Sequence, residues 1–145
     1  MALRFTILGC GTSAGVPRIG NDWGSCDPAN PKNRRTRVSL LVQSETTTIL
    51  VDTSPDLREQ LLAVDVIALD AVLWTHDHAD HCHGIDDLRQ VYHHRTYQGR
   101  HNEPIEGYAR AQTLRLLKHR FAYAFEGREG YRPIVRGLEL EDAIS

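Results

Sequence analysis

Two hydrophobic periods alternate along this chain. Residues 4–8 read Arg-Phe-Thr-Ile-Leu, apolar at alternate positions as in a short strand. The β-branched runs 38–42 and 47–51 flank a polar Gln43-Ser44-Glu45 turn and predict an antiparallel hairpin. Asp52-Thr53-Ser54-Pro55-Asp56 then signals a helix start, with Ser54 as N-cap and Pro55 at the first helical position. Leu57, Leu61, Leu62 and Val64 give that helix an apolar face. The run 71–75 predicts a buried strand, 84–92 a helix, 104–108 a further short strand, and 111–121 a helix with Leu114, Leu117 and Phe121 on one side. The polar, His-rich stretch 93–102 reads as an exposed loop. Turn residues Gly127, Gly130 and Pro133 punctuate 122–137, and the acidic residues 138–145 show no closing element. Strands interleaved with helices, without repeat or linker, predict a single α/β domain over residues 1–145.

Composition narrows the setting more than the chemistry. The 145 residues are 41% hydrophobic and 25% charged, enough for one sizeable core. A net charge of -2 supplies no general attraction to nucleic acid or to an anionic membrane. A phosphate-bearing substrate must then be held by local groups, by metal, or by both. No stretch approaches the length of a membrane span, and the N-terminus lacks the apolar core of a signal peptide. Cys10, Cys26 and Cys82 are odd in number and widely spaced, which fits free thiols in a reducing compartment and predicts a cytoplasmic protein. Arg34-Arg35-Thr36-Arg37 reads as a solvated lead-in to the hairpin, an anion-binding patch being the weaker alternative.

The chemistry concentrates where the 71–75 strand ends. His76-Asp77-His78-Ala79-Asp80-His81 places four potential metal ligands, His76, His78, Asp80 and His81, within six positions. Imidazole with carboxylate suits zinc, and also manganese or iron. His76 and His78, two apart on extended backbone, project to one side. Asp80 and His81 come next at the turn, in reach of a second ion. Such a two-metal centre makes hydroxide at neutral pH and clamps a phosphate or carbonyl. A solvated His-rich loop is the bland alternative, and a four-ligand cluster argues against it. Asp52, closing a strand near this loop, reads as a turn aspartate in preference to a partner of the ligands. The 84–92 helix turns its N-terminus to the site, where backbone N–H groups favour anions. His93 and His94 lack a partnered spacing. Residues 9–17, Gly-Cys-Gly-Thr-Ser-Ala-Gly-Val-Pro, lack the spacing of a nucleotide-binding glycine motif and suit either a plain turn or a close backbone approach.

The His-x-His-x-Asp-His run, the opening Leu8-Gly9-Cys10-Gly11-Thr12-Ser13-Ala14-Gly15-Val16-Pro17 and the step Val51-Asp52-Thr53-Ser54-Pro55-Asp56 resemble the metallo-β-lactamase-fold hydrolases. Within them the chain is most similar to the branch of the phosphoribosyl cyclic-phosphate phosphodiesterase, and also resembles the tRNA 3′-processing ribonuclease and the pyrroloquinoline-quinone biosynthesis protein B. The resemblance implies an αβ/βα sandwich, of which this chain is the N-terminal half: one mixed sheet with flanking helices. It implies that His76 and His78 hold one divalent ion (Zn2+ or Mn2+), that Asp80 and His81 hold a second, and that Asp80 acts in catalysis by orienting the attacking hydroxide. It also implies a homodimer. The family completes this centre with a later histidine, a bridging aspartate and a final histidine. His83, His93, His94, His101 and His119 are the histidines after His81, and Asp142 is the last aspartate; none lies in a matching context. The expectation is thus an incomplete ligand set in a truncated chain. The branch's extra structural zinc is not expected, since the stretch 21–26 supplies Cys26 alone and a lone thiol cannot close a four-ligand site. The expected activity is metal-dependent hydrolysis of a small cyclic or nucleotide-like phosphate ester. A tRNA 3′-processing enzyme ranks lower for want of a basic extension, and a non-catalytic remnant is the reading from a different class. A zinc β-lactamase ranks last.

Overall fold

The hairpin forms where β-branched side chains favour extended backbone. In the computed structural model, which describes residues 2–97 and 103–141, β1 (Arg4–Gly9) pairs antiparallel with β2 (Ser39–Gln43), and β2 pairs antiparallel with β3 (Thr48–Val51). From β3 onward the pairing is parallel: β4 (Ala71–Leu73), β5 (Ile105–Ala109) and β6 (Val135–Glu139) succeed one another in chain order in one six-stranded sheet. Parallel neighbours need crossovers. These are supplied by α1 (Leu57–Ala63), by α2 (Ala79–Cys82) with α3 (Leu88–Tyr97), and by α4 (Ala111–Arg120) with α5 (Ala122–Glu126).

One face of the sheet makes the core. Leu41, Leu50, Val72 and Val135 are buried there in one cluster with Leu57 and Leu61 of α1, Leu88 and Val91 of α3, and Leu114 and Leu117 of α4. Register alternation sends the neighbouring side chains to the other face: Phe5 faces Val42, which faces Ile49, and Leu40, Val51, Leu73, Tyr108 and Leu138 run beside them. That second face is apolar yet open, with Phe5 62% and Ile7 71% exposed. Gly107 and Gly137 lie opposite one another on the packed face. A Cβ on Gly107 would stand 2.5 Å from Val135 Cγ1 and 2.7 Å from Trp74 Cζ3, so the missing side chain is what lets the Trp74 ring lie on the sheet.

Several expectations shift. Ser54 is not the N-cap; α1 begins at Leu57 behind Asp56, while the Ser54 hydroxyl donates to Gln60 Oε1 and accepts from the Asp56 N–H. Leu62 is 63% exposed, because the buried stripe runs through Leu57, Gln60 and Leu61. A 3-10 turn (Ile85–Asp87) precedes α3, and α3 carries on through His93 and His94 to Tyr97 where a loop was expected; the rest of that stretch, 98–102, lies outside the described residues. The stretch 122–139 holds α5 and β6, neither predicted. The arginine run is a partial correction too: the Arg37 guanidinium grips Asp56 through Nε and Nη2 at 2.8 and 2.6 Å, and its backbone N–H donates to the same carboxylate.

Replacing Gly107 with alanine should lower stability by about 1–3 kcal/mol, as overpacking a filled core does, whereas Leu62→Ala should cost less than about 0.5 kcal/mol; urea unfolding of both variants checks the contrast. The Arg37 grip holds the Asp56 carboxyl below its ordinary range. A depressed carboxylate stabilises above its unfolded pKa, and that contribution is lost as pH falls through the folded value. Unfolding free energy should therefore decline less between pH 7 and pH 3 in Arg37→Gln than in the parent, and parallel curves would refute the assignment.

Candidate metal centre

The carboxyl ends of β3 and β4 lie side by side, and the turns leaving these two strands build the site. After β3, Asp52 takes a left-handed φ of 61°, a region that aspartate tolerates better than most residues. Its backbone N–H donates to Leu73 O at 2.8 Å. The turned carboxylate, 3% exposed, accepts from the Thr75 N–H at Oδ1 (2.8 Å) and from the Thr75 hydroxyl at Oδ2 (2.8 Å). His81 Nδ1 stands 2.7 Å from the same Oδ2 and donates to it. α2 is fastened to this turn from below: Thr53 N–H donates to His81 O at 2.9 Å, Gly84 N–H to Thr53 O at 3.0 Å, and Thr53 Oγ1 to Cys82 O at 3.2 Å. A Cβ on Gly84 would meet Ser54 O at 2.0 Å, so no other residue fits there without moving the turn.

These bonds set two tautomers. With its proton committed to Asp52, the Thr75 oxygen can only accept from His76 Nδ1, 3.0 Å away. His76 and His81 therefore both carry hydrogen on Nδ1, which leaves Nε2 as the nitrogen of each ring that could bind a metal ion. This is the orientation that a carboxylate partner imposes on metal-binding histidines.

The predicted ligands are brought together. The His76 ring centroid lies 4.0 Å from that of His81 and 4.5 Å from that of His78. His81 Nε2 and Asp80 Oδ2 are 3.4 Å apart, matching the separation of about 3.4 Å between two ligands with bonds of about 2.1 Å at a tetrahedral centre. The set is gathered without being closed: among the described residues no group of three or more His, Cys, Asp or Glu side chains has the geometry to hold a metal ion. By donor chemistry and tautomer the residues fit a divalent metal. His76 and His78 are the candidates for one ion, Asp80 and His81 for another.

Other polar groups of the loop point elsewhere. Asp77 pairs with Arg120 of α4 at 3.0 Å, which anchors the loop to the helical layer. His83 packs edge-on to Phe121, and His93, His94 and His119 lie on α3 and α4, apart from the cluster on its loop. The hydrogen bond to Asp56 favours the charged form of Arg37, and Asp80 adds a smaller electrostatic contribution. The cysteines are free, Cys10 and Cys26 exposed and Cys82 buried; burial raises the Cys82 thiol pKa, so it is a poor nucleophile. Sequence reasoning undervalued Asp52 and passed over Thr75. A hydroxyl directly before the first histidine was the available signal.

Comparison with known proteins agrees with this architecture. A solved structure described as a new diphosphatase from the PhnP family is 38% identical, with a TM-score of 0.81, over 97% of this chain and 51% of that one. Zinc-bound PqqB from Methylobacterium extorquens (21% identity, TM-score 0.65, 96% of this chain and 46% of that one) and the short form of human tRNase Z (17%, 0.58, 94% and 44%) share the fold. A curated relative, the octanoyltransferase of Porphyromonas gingivalis (strain ATCC BAA-308 / W83), is 40% identical over 124 residues, 85% of this chain and 24% of that protein. The chain thus spans about half the length of the diphosphatase structure and about a quarter of the curated relative. Residues 47–144 match the family model described as "Beta-lactamase superfamily domain", and this chain, with its mixed sheet, helical layer and His/Asp loop, belongs to that metallo-β-lactamase-fold family.

Proposed function

We propose that this chain carries the first-half ligands of a metal-dependent phosphodiesterase acting on a small cyclic or nucleotide-like phosphate ester. The observation that carries the reading is the Asp52–Thr75 network, which engages Nδ1 of His76 and of His81 and so leaves Nε2 of both rings for a metal ion, on the same loop as Asp80. A buried carboxylate that holds two histidines in one tautomer is costly to build, and ligand orientation is its best-understood use. The 38% identity to a structure described as a diphosphatase supports phosphate chemistry. The octanoyltransferase likeness lends nothing, since three quarters of that protein lie outside the match.

Divalent ions held there would lower the pKa of water and neutralise charge on phosphate oxygens. The chain's own part is to fix and to orient. Asp52 and Thr75 lock the rings. Asp80, beside His81 on the same loop, would orient the attacking hydroxide. Arg120 keeps Asp77 away from the donors. No described helix is long and apolar enough to cross a membrane, and the three free thiols support a place in the cytoplasm. The open ligand set favours one other reading, metal binding without turnover.

Metal analysis of the purified chain separates the two: close to two ions with manganese- or zinc-dependent turnover of bis(p-nitrophenyl) phosphate supports the hydrolase, and one ion or fewer without turnover supports the binder. Turnover should fall at least about 100-fold in His76→Ala and Asp80→Ala, in keeping with loss of a group acting on the reacting water. Asp52→Asn should weaken metal binding about 10–100-fold while leaving the circular dichroism spectrum intact. Unchanged affinity in that variant would mean the network serves the turn alone.

A further inference from the structure

On the helical side of the molecule, between α3 and the hairpin that links α5 to β6, lies a cavity of about 580 Å³ whose walls include none of the His/Asp cluster. Its volume lies in the range of small-molecule sites, about 300–1,000 Å³. The hairpin is built, not slack. Arg128 and Tyr131 exchange both backbone hydrogen bonds, at 3.1 and 2.9 Å, around Glu129 and Gly130. Those two residues have φ of 52° and 89°, as a type I′ turn requires. Gly127 has φ 72°, and a Cβ there would meet Tyr131 O at 2.3 Å. The Ile134 N–H donates to Ala124 O at 2.9 Å, fastening the hairpin's exit to α5. Across the cavity, Asp86 braces the opposite wall by pairing with Arg89 at 2.5 Å.

The lining is cationic and aromatic. Arg89 is offset by Asp86 and Arg128 by the exposed Glu129, 3.3 Å away. Among the described residues no carboxylate pairs with Arg132, which leaves a positive surplus on a chain that is negative as a whole. Tyr131, at the tip of the same hairpin, is 74% exposed. Guanidinium groups recognise phosphate oxygens in bidentate fashion, and an exposed tyrosine offers a stacking platform to any nucleobase. We propose that this cavity is a second binding site, separate from the His/Asp cluster, for a nucleotide-like anion, with its phosphates on Arg128 and Arg132 and its planar ring on Tyr131. Because the hairpin is already fixed by its glycines, little ordering opposes binding.

The test is calorimetry on the metal-free chain carrying His76→Ala, so that binding is read without the metal centre and failure of the hydrolase reading leaves it untouched. ADP, adenosine and inorganic pyrophosphate are the probes. The expected result is ADP binding at least tenfold tighter than either of the others, weakened about tenfold or more by Arg132→Glu and by Tyr131→Ala, with Arg132→Lys, which keeps the charge but not the planar fork, recovering only part of the affinity. Both positions are exposed, and circular dichroism confirms folding. Pyrophosphate binding as tightly as ADP overturns the ring contact and with it the proposal. So does ADP affinity that ignores the changes at 131 and 132, or no heat at millimolar ADP.

Discussion

A carboxylate removed from water is tolerated only when hydrogen bonds replace its hydration, and Asp52, accepting three through its two oxygens, meets that condition in a way that dictates its surroundings. Its partners come from the end of β4 and from α2, 23 and 29 residues along the chain. The Thr75 backbone, the Thr75 hydroxyl and the His81 ring must all arrive for the fold to close without loss. The same bonds decide which ring nitrogen of His76 and His81 faces outward. Folding of this turn and orientation of the candidate ligands are therefore one event, and the left-handed backbone at Asp52 is a strain of the kind that functional sites retain.

Much of this was legible because it is local. The hairpin announces itself through β-branched runs about a turn, and the His/Asp cluster through spacing on a single loop. The features that escaped depend on distance or on pairing. Asp52 reads as a turn residue when its partners, more than twenty positions away, are out of view. β6 contains Arg136, Gly137 and Glu139, a composition with little strand propensity, and becomes a strand through five paired positions along β5. Its Gly137 has no side chain for a packing reason, since a Cβ would press within 2.8 Å of Leu114 and Lys118. Leu62 looked like core because it is apolar at nearly the right spacing, yet it falls one step off the stripe that faces the sheet. α3 outlasts its apolar residues because packing of Val91 and Tyr92 stabilises the turns beyond them.

Membership of the metallo-β-lactamase fold leaves the particular reaction to the site. Here the described residues assemble the donors on one loop, with tautomers set and spacing suited to ions, but they do not complete a shell. The diphosphatase structure of similar sequence is about twice as long, so the portion the two chains share is the portion that carries this loop. The His/Asp loop and the cavity beside α3 are physically separate in this arrangement, because the helical layer packs on one side of the sheet while the loop sits at the strand ends.

The sheet's uncovered side has a thermodynamic consequence. Phe5, Ile7, Val42, Ile49 and their neighbours keep apolar area in water even when the chain is folded, so the heat-capacity increment of unfolding should fall short of that of a globular domain of this length, about 12–15 cal/mol/K per residue. Laying a second apolar layer on those side chains would raise that increment and stiffen the strands from which the His/Asp loop hangs. Sharper coordination and greater cohesion would then appear together, as two readings of the same dehydration.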